Sequence, residues 1–423
     1  MSLHYKKIAI EDAETKELKY LMLNNDFIVL DEIDETYIPL EEMERVLRAP
    51  IYTRFFRLFL LHDDESLKED ITDQVVLSGN LEKTYQQGQI RSLNLVLMNP
   101  EKIWNPSPYS GKLFANTKFR LQLGVLLDNT MYWRNEGVFV CQDPQLSNGD
   151  ANKTVSLQLH DKFALLDGTI GGTTETDYEM PVGTNIYQGI RSIVRQMRDN
   201  LGHPYDSQEI IFPEKYMKEK TAYTIKKTAD NNLGEILIEL ANMLSCDIFY
   251  DEIGRLTFRD NLEDLDYHNR NTVWNYSSSG NETKNISRED KWSEMKNRFI
   301  VKGANINGML CKGIAENTNP SSAYNVYGNF GIKPKIIEDN LIYSPVLCQQ
   351  RAKYELKKNA IKNTSISFES IYIPHMNPND LVRWTFSDYN YHNEEFIVQT
   401  VSIPLNPSES MNVSITNVNE LPI

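Results

Sequence analysis

Seven histidines, at positions 4, 62, 160, 203, 268, 375 and 392, are the first residues to weigh for chemistry. None stands at metal-ligand spacing from another histidine or from the four cysteines, Cys141, Cys246, Cys311 and Cys348. Cys141 and His160 could make a nucleophile and base if the fold joined them, but that also needs a pocket and an oxyanion hole, which nothing in the pattern supplies. His160, beside Asp161 at the end of a strand pattern, fits a structural hydrogen-bonding role better. Carboxylates recur at Asp251, Glu252, Asp260, Glu263, Asp264 and Asp266. Two placed across a glycosidic bond would suffice for a hydrolase, yet a close pair says little in a chain with 59 acids. The Asp260-to-Asp266 run offers oxygen ligands for a hard cation, but it lacks the glycine and terminal glutamate of an EF-hand loop, which favours a solvated loop. Gly168, Gly171 and Gly172 lie in a Thr-rich loop with no helix directly behind it, so a flexible connection is preferred to a phosphate cradle. The motifs of serine hydrolases, zinc proteases, P-loops and dinucleotide sites do not occur. We therefore assign no catalytic, cofactor-binding or metal-binding residue and no cofactor, and expect no enzyme.

Composition narrows the class. At 423 residues the chain exceeds what one growing core supports, so two to four domains are expected. Hydrophobic content of 40% and charged content of 24% are those of a globular protein. The net charge of −15 argues against tight nucleic-acid binding through a basic face. It fits a soluble acidic surface or, more specifically, acids lining a passage through which DNA slides without sticking. The spaced cysteines suggest free thiols in a reducing compartment. The N-terminus lacks the apolar core of a signal peptide, and no stretch approaches 18 apolar residues, so no stable membrane insertion is expected.

The elements that would position any site fall into four segments. Residues 1–50 read as an N-terminal arm. It has strands at Leu18–Leu23 and Phe27–Leu30 around a turn at Asn24–Asp26, then acids Asp31, Glu32, Asp34 and Glu35. A helix opened by Pro39 follows, with Leu40, Met43 and Leu47 on one face. The arm could dock on a neighbour, but covering this chain's own core is preferred. Residues 51–168 alternate at period two, as in Ser92–Leu97, Phe119–Leu123 and Val155–Leu159. Turns fall at Asp63–Ser66 and Asp128–Asn129, and Phe55–Leu61 reads as a strand covered on both faces. Residues 169–285 form a small α/β region. A helix from Ile186 to about Leu201 is capped by Thr184 or Asn185. A second starts at Asn232 with a capping box to Glu235 and a stripe of Leu233, Ile236, Leu237, Leu240 and Leu244. Strands at Asp247–Tyr250 and Leu256–Phe258 follow, then a polar linker over Asn275–Glu282. Residues 286–423 return to strands at Arg298–Val301, Ser365–Phe368, Leu381–Phe386, Phe396–Val401 and Met411–Ile415. A helix from Ser344-Pro345 to about Lys358 interrupts them. The expected class is α+β, mainly β, with two antiparallel β-barrel domains and an inserted small α/β region. Tyr324, Tyr327, Tyr389 and Tyr391 sit in loop patterns, where they suit an interface or a barrel end.

Taken in order, five segments resemble the baseplate or tail-tip hub proteins of tailed bacteriophages and phage-derived tail particles. They are Glu136–Val140, Val155–Asp167, Gly234–Phe258, Asn297–Gly303 and Pro378–Val382. The resemblance spans most of residues 50–420, and residues 1–50 fit it less well. It implies two barrels related to the tail-tube protein, and three chains in a ring whose doubled barrels adapt a sixfold tube to a threefold spike or tip. The implied partners are further copies in a homotrimer, the tail tube or distal tail protein, the spike or tip protein, and the tape measure protein, with DNA passing through unbound. The implied place is the virion tail, after assembly in the host cytoplasm. Some relatives carry a fused lysozyme or peptidase; with the last strand close to Ile423, none is expected here. The family motif gives no catalytic position to carry over. The alternatives are a β-rich polysaccharide-cleaving or carbohydrate-binding tip protein, or a hexameric distal tail ring component.

Overall fold

The computed structural model describes residues 8–11, 18–21, 28–29, 47–48, 54–107, 112–127, 130–148, 153–198, 202–244, 246–260, 270–277, 282–290, 292–306, 308–339, 342, 344–360 and 364–417. The N-terminal arm contributes β1 (Ile8–Glu11), β2 (Leu18–Leu21) and β3 (Ile28–Val29). The first β-region holds β4 (Arg54–Leu61), β5 (Leu67–Asp70), β6 (Val75–Thr84), β7 (Arg91–Met98), β8 (Lys118–Leu127), β9 (Thr130–Cys141), β10 (Gln145–Asn148) and β11 (Lys153–Asp161). The middle holds β12 (Tyr178–Met180), α1 (Ile186–Arg191), β13 (Ile225–Lys227), α2 (Leu233–Met243), β14 (Cys246–Tyr250) and β15 (Leu256–Asp260). The last part holds β16 (Thr272–Tyr276), β17 (Thr283–Asp290), β18 (Arg298–Ile306), β19 (Met309–Glu316), β20 (Pro334–Glu338), α3 (Pro345–Ala360), β21 (Thr364–Ser370), β22 (Leu381–Phe386), β23 (Tyr391–Pro404) and β24 (Met411–Asn417).

The protein is mainly β, of the α+β class, with antiparallel pairing dominant. Fifteen strands join in one sheet whose main path runs β17-β21-β24-β23-β6-β7-β11-β9-β8-β4-β5. The period-two pattern explains the strands: β7 buries Arg91, Leu93, Leu95 and Leu97 and turns Ser92, Asn94 and Met98 outward. Inward side chains of both β-regions merge in one core, from Leu58, Leu93 and Phe119 to Phe368, Trp384 and Val401. The middle region has its own core, where Leu233, Ile236, Leu237 and Leu240 of α2 pack on Ile248 and Tyr250 of β14. The side chain of Asn232 caps α2 by accepting the Glu235 N–H at 2.8 Å, and that of Asn185 caps α1 by accepting the Gln188 N–H at 3.0 Å.

Several sequence expectations are displaced. The helix expected to reach Leu201 ends earlier: α1 runs into a π turn at Ser192–Gln196, and Met197 is extended. The stretch expected to be a polar linker begins in a core strand. Trp274 and Tyr276 of β16 are fully buried and pair parallel to β22, so two aromatic side chains outweigh the polar residues around them. The Arg298–Val301 strand belongs to a separate three-stranded sheet, β19-β18-β20. That sheet exists because α3 needs an apolar platform: Cys348, Ala352 and Leu356, four residues apart, pack on Phe299, Val301, Cys311 and Ala315. Phe55, expected to be covered, is 40% exposed. In the arm, β2 pairs with β1 rather than with the next strand, and β3 pairs with Tyr132 and Trp133 of β9. Leu47 enters the large core, and Arg48 stacks 4.3 Å over the Trp274 ring and pairs with Glu282. This end of the arm therefore packs on its own chain. The expected turns at Asn24–Asp26 and Asp128–Asn129, and the arm helix before Leu47, lie outside the described residues.

Candidate functional surface

Two features could serve a structural role: a polar face shared by both β-regions, and a buried charge network behind it. The regions meet where β23 pairs antiparallel with β6, Thr400 opposite Thr84, Val401 opposite Lys83, Ser402 opposite Glu82 and Ile403 opposite Leu81. The Tyr85 N–H donates to the Gln399 carbonyl at 2.8 Å, and the Leu405 N–H to that of Gly79 at 2.8 Å, extending the seam at both ends. Val401 and Ile403 point into the common core, so Thr400 and Ser402 point out.

Register then fixes a row of outward groups. Ser367, Ser414 and Thr400 stand opposite one another across β21, β24 and β23. Glu369, Asn412, Ser402, Glu82 and Ser92 continue a parallel row across β21, β24, β23, β6 and β7. Asn94 and Gln158 extend the face to β11. Across β21, β24, β23, β6 and β7 these outward groups are hydroxyl, amide and carboxylate. The cations of β6 and β7, Lys83 and Arg91, oppose each other on the buried side. On β17, Lys284 stands opposite Glu369, and Glu289 opposite Ser365.

Behind the seam, residues from three regions share one electrostatic cluster. Lys83 pairs with Glu136, and both are completely buried. Arg134 lies 3.7 Å from Glu136 and 3.3 Å from Glu252 in the β14–β15 turn, and Arg91 lies 2.9 Å from Glu252. From the loop before β22, the Asn377 amide donates to Glu252 at 2.9 Å and its carbonyl accepts from Lys83 at 3.1 Å. Burial pushes the Lys83 ammonium down to about 8, with Glu136 pulling the other way. Burial works to raise the Glu252 carboxyl, but Arg91 and Arg134 outweigh it and hold it at about 2.

A second buried group ties the first β-region to the middle. Lys162 lies 2.6 Å from Glu65 and 3.0 Å from Asp206, and donates to the Gly254 carbonyl at 2.8 Å. The β6–β7 loop also docks on β14. The Gly88 N–H donates to the Ile248 carbonyl at 2.8 Å, while the Gln87 carbonyl oxygen accepts the Ile248 N–H at 2.9 Å and the Gln87 amide donates to Asp247 at 2.7 Å. The arrangement links three regions of the chain to one another. Composition gave no hint of these residues, although alternation did: Lys83 shares the inward side of β6 with Leu81, and Arg91 that of β7 with Leu93.

Among the described residues, those first weighed for chemistry are not brought together. Cys141 stands opposite Leu159 and His160 opposite Val140, so the two are offset. Burial pushes the Cys141 thiol up to about 12, aided by Asp143. His160 bonds Gln142 at 2.9 Å and also Gln89, the structural role expected of it. Asp251 accepts the Ile253 and Arg255 N–H groups of its own turn, at 3.1 and 2.8 Å. Asp260 pairs with Lys215, while Glu263, Asp264 and Asp266 lie outside the described residues. Among the described residues no three His, Cys, Asp or Glu side chains are grouped to hold a metal. At Gly172 (φ +88°) an added Cβ would meet the Leu166 backbone at 2.5 Å, so this glycine serves close packing. Of the tyrosines expected in loops, Tyr391 instead opens β23 and is buried, and Tyr327 is 79% exposed.

The three-stranded sheet leaves its outer side open. Ile314, Ile300 and Ile336 form a row across β19, β18 and β20, flanked by the pairs Arg298–Glu316 (2.7 Å) and Lys302–Glu338 (2.9 Å).

The fold is that of phage and prophage tail proteins. The 43 kDa tail protein of prophage MuSo2 from Shewanella oneidensis matches with a TM-score of 0.56 at 13% identity, covering 86% of this chain and 98% of its own. A tail protein from Neisseria meningitidis MC58 matches at 0.55 and 8% identity, over 87% and 98%. The prophage tail protein gp18 from Listeria monocytogenes EGD-e matches at 0.51 and 12%, over 87% and 95%. A chain of a Francisella PdpA–VgrG complex also matches at 0.51 and 11%, over 89% of this chain and 54% of that one. No protein-family model matches the sequence, and no curated protein matches it. At such identities the likeness is one of fold.

Proposed function

We propose that the chain is a structural component of a phage-type tail, acting as a trimeric hub that joins a sixfold tube to a threefold spike or tip and leaves a passage for DNA. The observation that carries this reading is the β6–β23 seam, through which two β-regions of one chain form a single sheet over one core. A ring of three such chains offers six β-regions, the number a sixfold cylinder requires. The polar face across the seam supports the passage. Its carboxylates repel phosphate, and its hydroxyls and amides carry no charge to hold a strand. Its partners in this role are two further copies, the tail tube or distal tail protein, the spike or tip protein and the tape measure protein. No catalysis is assigned to it, and its place is the virion tail after assembly in the host cytoplasm.

Cryo-electron microscopy of the intact particle, with an antibody fragment raised against the chain, tests this reading. Label at the tail's distal end, three copies per particle, is the expected image. Six copies would indicate a distal tail ring component, and label on the head or a side fibre would refute the hub.

A further inference from the structure

We infer that Cys311 and Cys348 form an oxidative cross-linking site, in which a disulfide ties helix α3 to strand β19. Three separate cores hold the four cysteines: Cys141 the large β core, Cys246 the middle one, and Cys311 with Cys348 the small core under α3. All are buried and unpaired. Two glycines let the helix lie unusually low on its sheet. A Cβ at Gly313 would meet the Cys348 and Gln349 backbone at 2.3 Å. One at Gly303 would meet the Ile342 carbonyl oxygen at 2.2 Å, Cys348 Sγ at 2.8 Å and Cys311 Cβ at 3.1 Å. Both cysteine side chains thus border the same small space above Gly303. Cys348 Sγ and Cys311 Cβ can be no more than about 6 Å apart, and because the helix already rests on the sheet backbone at Gly313, rotamer changes of the two side chains close the gap to disulfide range. The Cys311 thiol also helps burial keep that of Cys348 protonated.

Access comes from the helix end. Cys348 lies in the first turn of α3, where Val346 and Leu347 are already exposed, and fraying of that turn uncovers the sulfur. The oxidant is hydrogen peroxide. Once fraying admits water, the burial that keeps Cys348 protonated is relieved; its thiolate attacks the O–O bond and takes one oxygen as a sulfenic acid, and the other oxygen leaves as water with the thiol's proton. The Cys311 sulfur then attacks the sulfenic sulfur; the S–S bond forms, the S–O bond breaks and a second water leaves. Two thiols are oxidised and one peroxide is reduced to two waters. The inference stands apart from the tail reading, and either can fail alone.

The full chain is treated with hydrogen peroxide and mapped by peptide mass spectrometry. The expected product is a single cross-linked pair joining Cys311 to Cys348, with Cys141 and Cys246 still counted as thiols after denaturation. Dithiothreitol reverses it, and Cys348→Ser and Cys311→Ala each abolish it. The oxidised protein melts at a higher temperature than the reduced one, because the bond closes a long loop. Intact thiols at both positions, sulfinic acid at either without a cross-link, or equal linkage to Cys141 or Cys246 would overturn the inference.

Discussion

Lys83 shows why a buried charge can hold regions together without making the protein more stable overall. Taking Lys83 and Glu136 out of water is costly, and their attraction offsets that cost only while both remain. Lys83→Met should therefore destabilise the fold by about 3–5 kcal/mol, the range for breaking one side of a buried pair. Lys83→Met combined with Glu136→Leu should recover much of that loss, which urea melts of the three proteins would measure. Glu252 adds a pH signature. Its folded value of about 2 lies below its ordinary 4.5, so the folded state holds this proton more weakly than the unfolded chain does. The stabilisation is complete above about pH 4.5 and disappears as pH falls towards 2. Glu252→Gln should flatten the stability curve in that window; an unchanged acid slope would mean that other carboxylates set it.

At the scale of elements, local patterns carried the strands and helix starts well. Period-two alternation found β7, β8 and β11, strand-like runs found β21–β24, and side-chain oxygens marked the starts of α1 and α2. What stayed hidden depends on partners distant in sequence. The β6–β23 pairing joins residues more than 300 positions apart, and nothing in Val401 or Ile403 specifies Lys83 and Leu81 as neighbours. The β16 strand was masked by the polar run after it, and β18–β20 by their strand-like pattern, which does not say which sheet a strand joins. Of the functional surface, the excess of acid was legible, but its placement on one face required the register. Two expectations belong at this scale. Gly88 combines φ +85° with a Phe163 ring atom 2.7 Å from any added Cβ, so Gly88→Ala should lower stability by about 1–3 kcal/mol and loosen the β6–β7 loop from β14. Hydrogen exchange should also find the amides of Thr400–Ile403 as slow as those of β8 and β9, because one core serves both β-regions. Much faster exchange at the seam would mean that the regions open separately.

At the scale of the whole molecule, a net charge of −15 has a direction: on β6 and β7 the cations Lys83 and Arg91 face inward, while Glu82 faces out. The protein as it stands should not retard duplex DNA in a gel. Glu82→Lys with Glu369→Lys should keep the fold and acquire binding that weakens steeply with salt. Unaltered behaviour would place these residues away from any passage. The central claim is that one chain with two joined β-regions closes a threefold ring. Its most direct test is light scattering of the purified protein across a wide concentration range, alone and with a tip protein. The account predicts a species of three times the 49.0 kDa chain mass. A monomer at every concentration, with and without the tip protein, or a hexamer in place of the trimer, would contradict it.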